Sequence, residues 1–289
     1  MKIVMNATVN AALSQSYLET LLAGDRVACR KVIDSAITGS VLPYELLTKL
    51  VWPTMELLQQ LYREDRIATA ALNLATRLNR MMTDQLCGQL PRAESKDKKV
   101  LIFCGDDEPE ELGGQICADL FECDGWTVRF AGGGVPDDEV LKLIGEYRPD
   151  LLVMFGTLPA GVPAVRKLID YLREVGSCPN MQVMCCGGIY KRAEGLSEEI
   201  GADLYAPDAA EAVDVANTQS SRKATVDQQT VGRTRRIRKA QARKSQQQTK
   251  VTRLAPSLMS QSSDDVTNDV DNNVDNEVDN DVDNDVDSE

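Results

Sequence analysis

Between residues 100 and 216, apolar runs of five or six residues alternate with helical patterns of ten to fifteen. That alternation admits few folds: it marks βαβ units around a parallel sheet. Runs at 100–104, 126–130, 150–154, 181–185 and 203–206 read as strands. Segments at 110–123, 138–147, 160–174, 191–200 and 208–217 read as helices. Trp126-Thr-Val-Arg-Phe and Leu151-Leu-Val-Met are rich in strand formers. Five strands and five helices predict an α/β, flavodoxin-like, doubly wound parallel sheet with right-handed crossovers. Ligands of such sheets sit at the carboxyl ends of the strands, beside the topological switch point. The glycine-rich stretches fall there: Gly105, Gly132 to Gly134, Gly156, Gly161, Gly187 and Gly188.

Upstream, residues 16–89 are helical in pattern, after a weakly patterned lead-in over 1–15. Tyr17, Leu18, Leu21 and Leu22 share one face, and Gly24-Asp25 interrupts it. Asp25 suits the N-cap of a second helix, 26–38, ended by Gly39. A third runs from Pro43 to about residue 63 and a fourth from 67 to 90, with Trp52-Pro53 placed to kink the third. Four such helices predict an antiparallel bundle whose Leu, Met and Trp stripe is core packing. The polar stretch 91–99 is the linker. The expected domains are a helical cap at 16–90 and a sheet domain at 98–217.

Charge is segregated. The net charge is −13, yet residues 218–255 carry +10 and residues 256–289 carry −12, leaving −11 for 1–217. Residues 218–255 are rich in Gln, Ser, Thr, Lys and Arg, and residues 256–289 end in a repeating Val-Asp-Asn unit. Both are expected to be disordered: a basic segment, then an acidic tail. The basic block around Arg233, Arg235, Arg236, Arg238, Lys239, Arg243 and Lys244 has two readings. It binds nucleic acid or another acidic partner through charge, or it pairs with the acidic tail. It holds no aromatic residue, so base stacking is not on offer. The acidic repeat lacks the glycine turn and bidentate glutamate of an EF-hand.

The chain contains no histidine. Ser-His-Asp and Cys-His catalysis and imidazole metal ligation are therefore excluded. Eight cysteines are scattered without a framework, as expected of buried thiols in a reducing cytoplasm, and they do not space as a zinc site. No signal-peptide core and no membrane-length apolar run is present. Gly132-Gly133-Gly134 is not a dinucleotide fingerprint, and no P-loop motif occurs. A phosphoreceiver would need an aspartate after the third strand, where Met154-Phe155-Gly156-Thr157 offers none.

Gly187-Gly188, followed by Glu199-Ile-Gly-Ala-Asp-Leu-Tyr-Ala-Pro-Asp-Ala-Ala-Glu-Ala-Val, is very similar to the end of a cobalamin (B12)-binding module. Leu112-Gly113 through Gly125-Trp126 matches that family's first helix and its exit into the second strand. The resemblance covers about residues 16–217. It implies a four-helix cap on a flavodoxin-like domain, as in methionine synthase, the corrinoid carriers of methyltransferases and the light-sensing regulators. It further implies that turns after the first, third and fourth strands enclose the cofactor's nucleotide tail. Gly113, Thr157, Leu158, Gly187, Gly188, Tyr205 and Asp208 would line that pocket. The family's Asp-x-His-x-x-Gly motif, aligned on Gly113, puts Glu108 at the Asp position and Glu110 at the position of the His that ligates cobalt. Glutamate is a poor replacement for imidazole there. Phe155-Gly156 replaces the family's third-strand serine region, with Thr157 supplying a hydroxyl. In the cap, Tyr62 and Asn73 align with the residues over the upper face of the corrin, and Asn73 cannot act as the family's histidine does.

Three functions follow as expectations. The first is a non-catalytic cobalamin-binding regulator or sensor that lacks the lower His ligand. The second is a degenerate scaffold acting by protein interaction. The third is a corrinoid methyltransferase subunit. No membrane association is expected, and self-association is left open.

Overall fold

The computed structural model describes residues 8–224 apart from Ser177. The basic block and the acidic repeat lie outside the described residues. The cap comprises α1 (Ala11–Leu22), α2 (Arg26–Thr38), α3 (Pro43–Leu46), a π-helical turn (Leu47–Val51), α4 (Trp52–Arg63) and α5 (Thr69–Cys87). The first helix begins earlier than its periodicity predicts. The Asn10 side chain accepts from Leu13 N at 2.9 Å and so starts the helix within the expected lead-in. Asp25 caps α2 as expected, accepting from Val27 N and Ala28 N. Ahead of Pro53 the chain widens into the π-turn, which accommodates a ring that cannot donate within a helix.

The sheet domain runs β1 (Lys99–Cys104), α6 (Glu108–Cys123), β2 (Thr127–Gly132), α7 (Asp137–Tyr147), β3 (Leu151–Phe155), a 3-10 turn (Pro159–Gly161) and α8 (Val162–Val175). It continues with β4 (Gln182–Cys186), α9 (Gly188–Arg192), α10 (Leu196–Glu199), β5 (Leu204–Ala206) and α11 (Ala209–Thr218). All five strands are parallel in the order 2-1-3-4-5. The switch point therefore lies between β1 and β3, as in a flavodoxin-like sheet. One expected helix, 191–200, is instead two short pieces. Gly195 takes a left-handed φ of +76° between them, a conformation a helix interior cannot hold.

Alternation along the strands divides the core. Val100, Ile102, Val153, Phe155 and Met184 face α6, α11 and the cap in one continuous apolar cluster. Leu101, Phe103, Leu152, Met154 and Val183 face α7, α8 and α9 in another. Cap and sheet thus share a core rather than meeting across a solvated joint. The linker is held too: Ala93 N donates to Cys123 O at 2.8 Å and Lys96 N to Gly125 O at 2.9 Å.

Candidate functional site

Helix α6 opens with Glu108, Glu110 and Glu111, acids that suit the positive end of a helix dipole. Their side chains then part. Glu108 accepts from Arg80 Nε of α5 at 2.9 Å, and Glu111 lies 3.6 Å from the same guanidinium. Arg80 also donates to Gln115 Oε1 at 2.8 Å, so this cluster ties the cap to α6. Glu110 turns inward and is 5% exposed. Its Oε1 accepts from the Thr157 backbone N–H, from Thr157 Oγ1 at 3.1 Å and from Leu158 N at 3.0 Å. A buried carboxylate thus bridges α6 to the loop after β3, across the switch point. Gly105 leaves it room, since a β-carbon there would run into the carboxylate. Glu110 Oε2 has no partner among the described residues.

Two cavities meet this region. A pocket of about 260 Å³ opens at the carboxyl ends of β1 and β3. Its walls are mostly apolar, with Met154, Val162, Val165 and Ile189 among them, and Glu110, Asp106 and Asp137 bring carboxylates. A cleft of about 210 Å³ lies between α4 and the sheet, lined by Trp52, Met55, Glu56, Gln59, Arg63, Phe155, Thr157, Gly188, Lys191 and Arg192 among others. Trp52 stands edge-on to Phe155, with centroids 5.9 Å apart at 83°. Arg192 donates to Thr157 O, and Lys191 Nζ lies 3.1 Å from the Glu56 carboxylate of the cap. Burial first, then repulsion from Arg63, lower the pKa of Arg192, while Glu56 opposes them.

The nearby thiols are inert. Burial pushes the pKa of Cys185 up to about 12. Burial, then Glu111 and Glu110, does the same for Cys104, to about 12. Burial also raises Tyr190 far above its usual range. A protonated thiol is neither a nucleophile nor a metal ligand. No cluster of three or more metal-ligating side chains occurs among the described residues.

Of the residues singled out in the sequence, Glu110, Thr157, Leu158, Gly187 and Gly188 converge at the switch point. Gly187 has φ +108° and lies against Gly156 O, an approach that no side chain permits. Gly113 lies beneath, where a β-carbon would strike the Phe155 ring; it sets how closely α6 approaches β3. Glu108 faces Arg80. Asp208 caps α11, accepting from Glu211 N at 2.9 Å, and Tyr205 sits in β5; both are away from the two cavities. Tyr62 pairs with Thr69 Oγ1 at 3.3 Å, Asn73 is exposed, and neither lines the cleft. The cap wall is instead Trp52, Met55, Glu56, Gln59 and Arg63, one face of α4 at helical spacing. That spacing was present in the sequence, but its mixture of apolar and charged types hid it.

Residues 13–86 match the family model described as B12 binding domain. Dimethylamine corrinoid protein 1 of Methanosarcina acetivorans is 24% identical over 207 residues, which are 70% of this chain and 96% of that protein. Monomethylamine corrinoid protein 2 of Methanosarcina mazei is 19% identical over 213 residues, 72% of this chain and 97% of that one. The solved structure of Methanosarcina barkeri monomethylamine corrinoid protein superposes with a TM-score of 0.64 at 17% identity. That superposition covers 72% of this chain and 98% of the other, and it places the fold. No helix among the described residues is long and apolar enough to cross a membrane. Residues 13–86 are thus similar to a B12 binding domain, a likeness that with the corrinoid-protein relatives supports cobalamin as cofactor, and they are set on a sheet with the corrinoid-protein fold.

Proposed function

We propose that this chain holds cobalamin, or a related corrinoid, without any imidazole from the protein, and uses it for regulation or sensing rather than for catalysis. The observation that carries the reading is the buried bridge of Glu110. Its Oε1 accepts three hydrogen bonds from Thr157 and Leu158, which commits that oxygen to the loop after β3 and leaves only Oε2, a hard oxygen donor poorly matched to cobalt. With no histidine anywhere, cobalt would keep its own base or water beneath it. Bound cobalamin supplies an axial coordination site that responds to light, reductants or small ligands.

This chain's residues supply the seat. Trp52, Met55 and Phe155 offer apolar walls to a flat macrocycle, and the turns at Gly105, Gly156 and Gly187 let an appended ring approach the backbone. Thr157, Leu158, Gly188 and the pocket over Met154 would hold the lower tail. At about 210 Å³ the cleft is narrower than most small-molecule sites, so the cap must swing from the sheet to admit a corrin. The partly exposed Arg80–Glu108 and Lys191–Glu56 pairs resist that motion only weakly, so the apolar core that cap and sheet share supplies most of the resistance.

Incubation of the protein with hydroxocobalamin, followed by desalting, tests the reading. A retained corrinoid band is expected. In the cob(II)alamin state, electron paramagnetic resonance should show hyperfine splitting from the cofactor's own base, or none from nitrogen. Growth on ¹⁵N-labelled medium should leave the spectrum unchanged. A protein that retains no corrinoid overturns the proposal and supports the scaffold alternative.

A second reading, a carrier subunit in methyl transfer, is favoured by the 96% coverage of a dimethylamine corrinoid protein. It predicts that the reduced, corrinoid-loaded chain accepts a methyl group when a methylamine methyltransferase is added.

A further inference from the structure

We infer that the cleft between α4 and the turn after β4 is an oxyanion site, seating a phosphate or carboxylate group between Arg63 and Arg192. This goes beyond the corrinoid reading, because it concerns charges that a neutral macrocycle would not use. The folded body is acidic, at −11 over residues 1–217. Yet this one cleft gathers Arg63, Lys191 and Arg192 against a single carboxylate, Glu56. Lys191 engages that carboxylate at 3.1 Å. Arg63 has no hydrogen-bonded or ion-paired partner among the described residues. Arg63 and Arg192 line the same cleft, and after burial Arg63 is the next cause that disfavours the charge on Arg192.

Arg192 is also placed rather than loose. It donates to Thr157 O, and its Nη1 lies over Gly188, where any β-carbon would be 2.8 Å away. Glycine at 188 therefore keeps the guanidinium against the sheet, with further N–H groups left over. Two like-charged forks lining one cleft, whose single carboxylate is already engaged by Lys191, repel one another, and an oxyanion between them relieves that cost. Planar guanidinium groups match carboxylate and phosphate in a bidentate way. The floor of Trp52, Met55 and Phe155 lowers the local dielectric and strengthens such a contact. The buried indole N–H of Trp52, on the same wall, has no acceptor either.

The test uses the full chain and inorganic phosphate, titrated at constant ionic strength against chloride, with tryptophan emission as the readout. A saturable response is expected, and Arg63→Gln should weaken it about tenfold, the loss of one charge-assisted hydrogen bond. Lys31→Gln, a distant surface change, should leave it intact. A titration unaltered by Arg63→Gln, or no saturable response, overturns the site.

Adenosylcobinamide and adenosylcobinamide phosphate, which differ by one phosphate, then separate the sources. Tighter retention of the second, lost in Arg63→Gln, makes the oxyanion part of the corrinoid. Equal retention of both, with free phosphate still bound, makes it a separate small anion. Phosphate binding without retention of either corrinoid leaves this site standing while the cobalamin reading fails.

Discussion

Two buried carboxylates sit at opposite ends of the sheet and are used differently. At the amino ends of β4 and β5, Asp203 is 1% exposed. Its Oδ2 accepts from Val183 N at 2.8 Å and from Arg173, and its Oδ1 accepts from Ala224 N at 2.7 Å. Both oxygens are occupied, and a guanidinium balances the charge. At the carboxyl ends, Glu110 puts three donors on one oxygen, has no ion pair among the described residues, and leaves its other oxygen unbonded beside a cavity. The first is a completed structural pin. The second has no countercharge and lines a cavity, where a ligand can meet it. Neither burial nor the count of partners, three each, distinguishes them; the countercharge on one and the cavity beside the other do.

The largest test of this contrast is Asp203→Ala. It strands Arg173 and two backbone N–H groups and should cost about 3–5 kcal/mol in urea unfolding. Glu110→Gln keeps the shape and most of the donors' partner, and should cost about 1 kcal/mol while changing corrinoid retention more than Asp203→Asn does. Equal losses of stability would erase the distinction.

Next comes Gly113→Leu. It drives a side chain into Phe155 and should cost about 1–3 kcal/mol, with a change in Trp52 emission because Phe155 abuts that ring. Gly145→Ala, in open space on α7, should instead be neutral or slightly stabilising, as unfolding midpoints would show.

The pH dependence is smaller near neutrality. Cys185 is fully buried and its pKa is raised to about 12, so its contribution to stability is complete below the unfolded thiol value of about 8.5. Above that value the unfolded chain loses the proton first. Stability should fall by about 1.4 kcal/mol per pH unit until the folded value is reached. Cys87, Cys104 and Cys186, raised in the same direction, add to that slope, so Cys185→Ala should lessen it without abolishing it in melting temperatures taken from pH 8 to pH 10.

Smallest is Glu56→Gln, which removes a partly exposed pair with Lys191 and should change stability by less than about 1 kcal/mol. It should nevertheless speed corrinoid uptake in stopped-flow absorbance if cap separation is the slow step.

The strands were legible nearly to the residue. Buried parallel strands such as Leu151–Phe155 are apolar on both faces and stand out as unbroken runs. The convergence of Glu110, Thr157 and Gly187 was legible in part, because a doubly wound sheet brings its loops to one edge wherever they fall in the chain. Other features depended on geometry that composition does not carry. The break at Gly195 places Arg192 at the end of a five-residue helix, so its side chain returns to Thr157. On α4, Gln59 and Arg63 lie within about 20° of the phase of Trp52, whereas Tyr62 lies about 80° from it and does not line the cleft. Tyr62, expected over the upper face, is partly exposed beside Thr69, while Trp52 lines the cleft. Glu108 and Glu110, aligned with two different positions of the family motif, do part in the structure: the helix turns one toward Arg80 and the other inward.

The edge contact between Trp52 and Phe155 makes the molecule its own optical gauge. The chain has only two tryptophans, and the other, Trp126, is lodged against Phe121 at 5.4 Å, away from the cleft. Emission thus divides into a steady component from Trp126 and a component from Trp52 that follows the cap. A corrin, whose absorption overlaps indole emission, would darken the second far more than the first. Loading and cap position can then be followed by light alone, with no label attached to the protein.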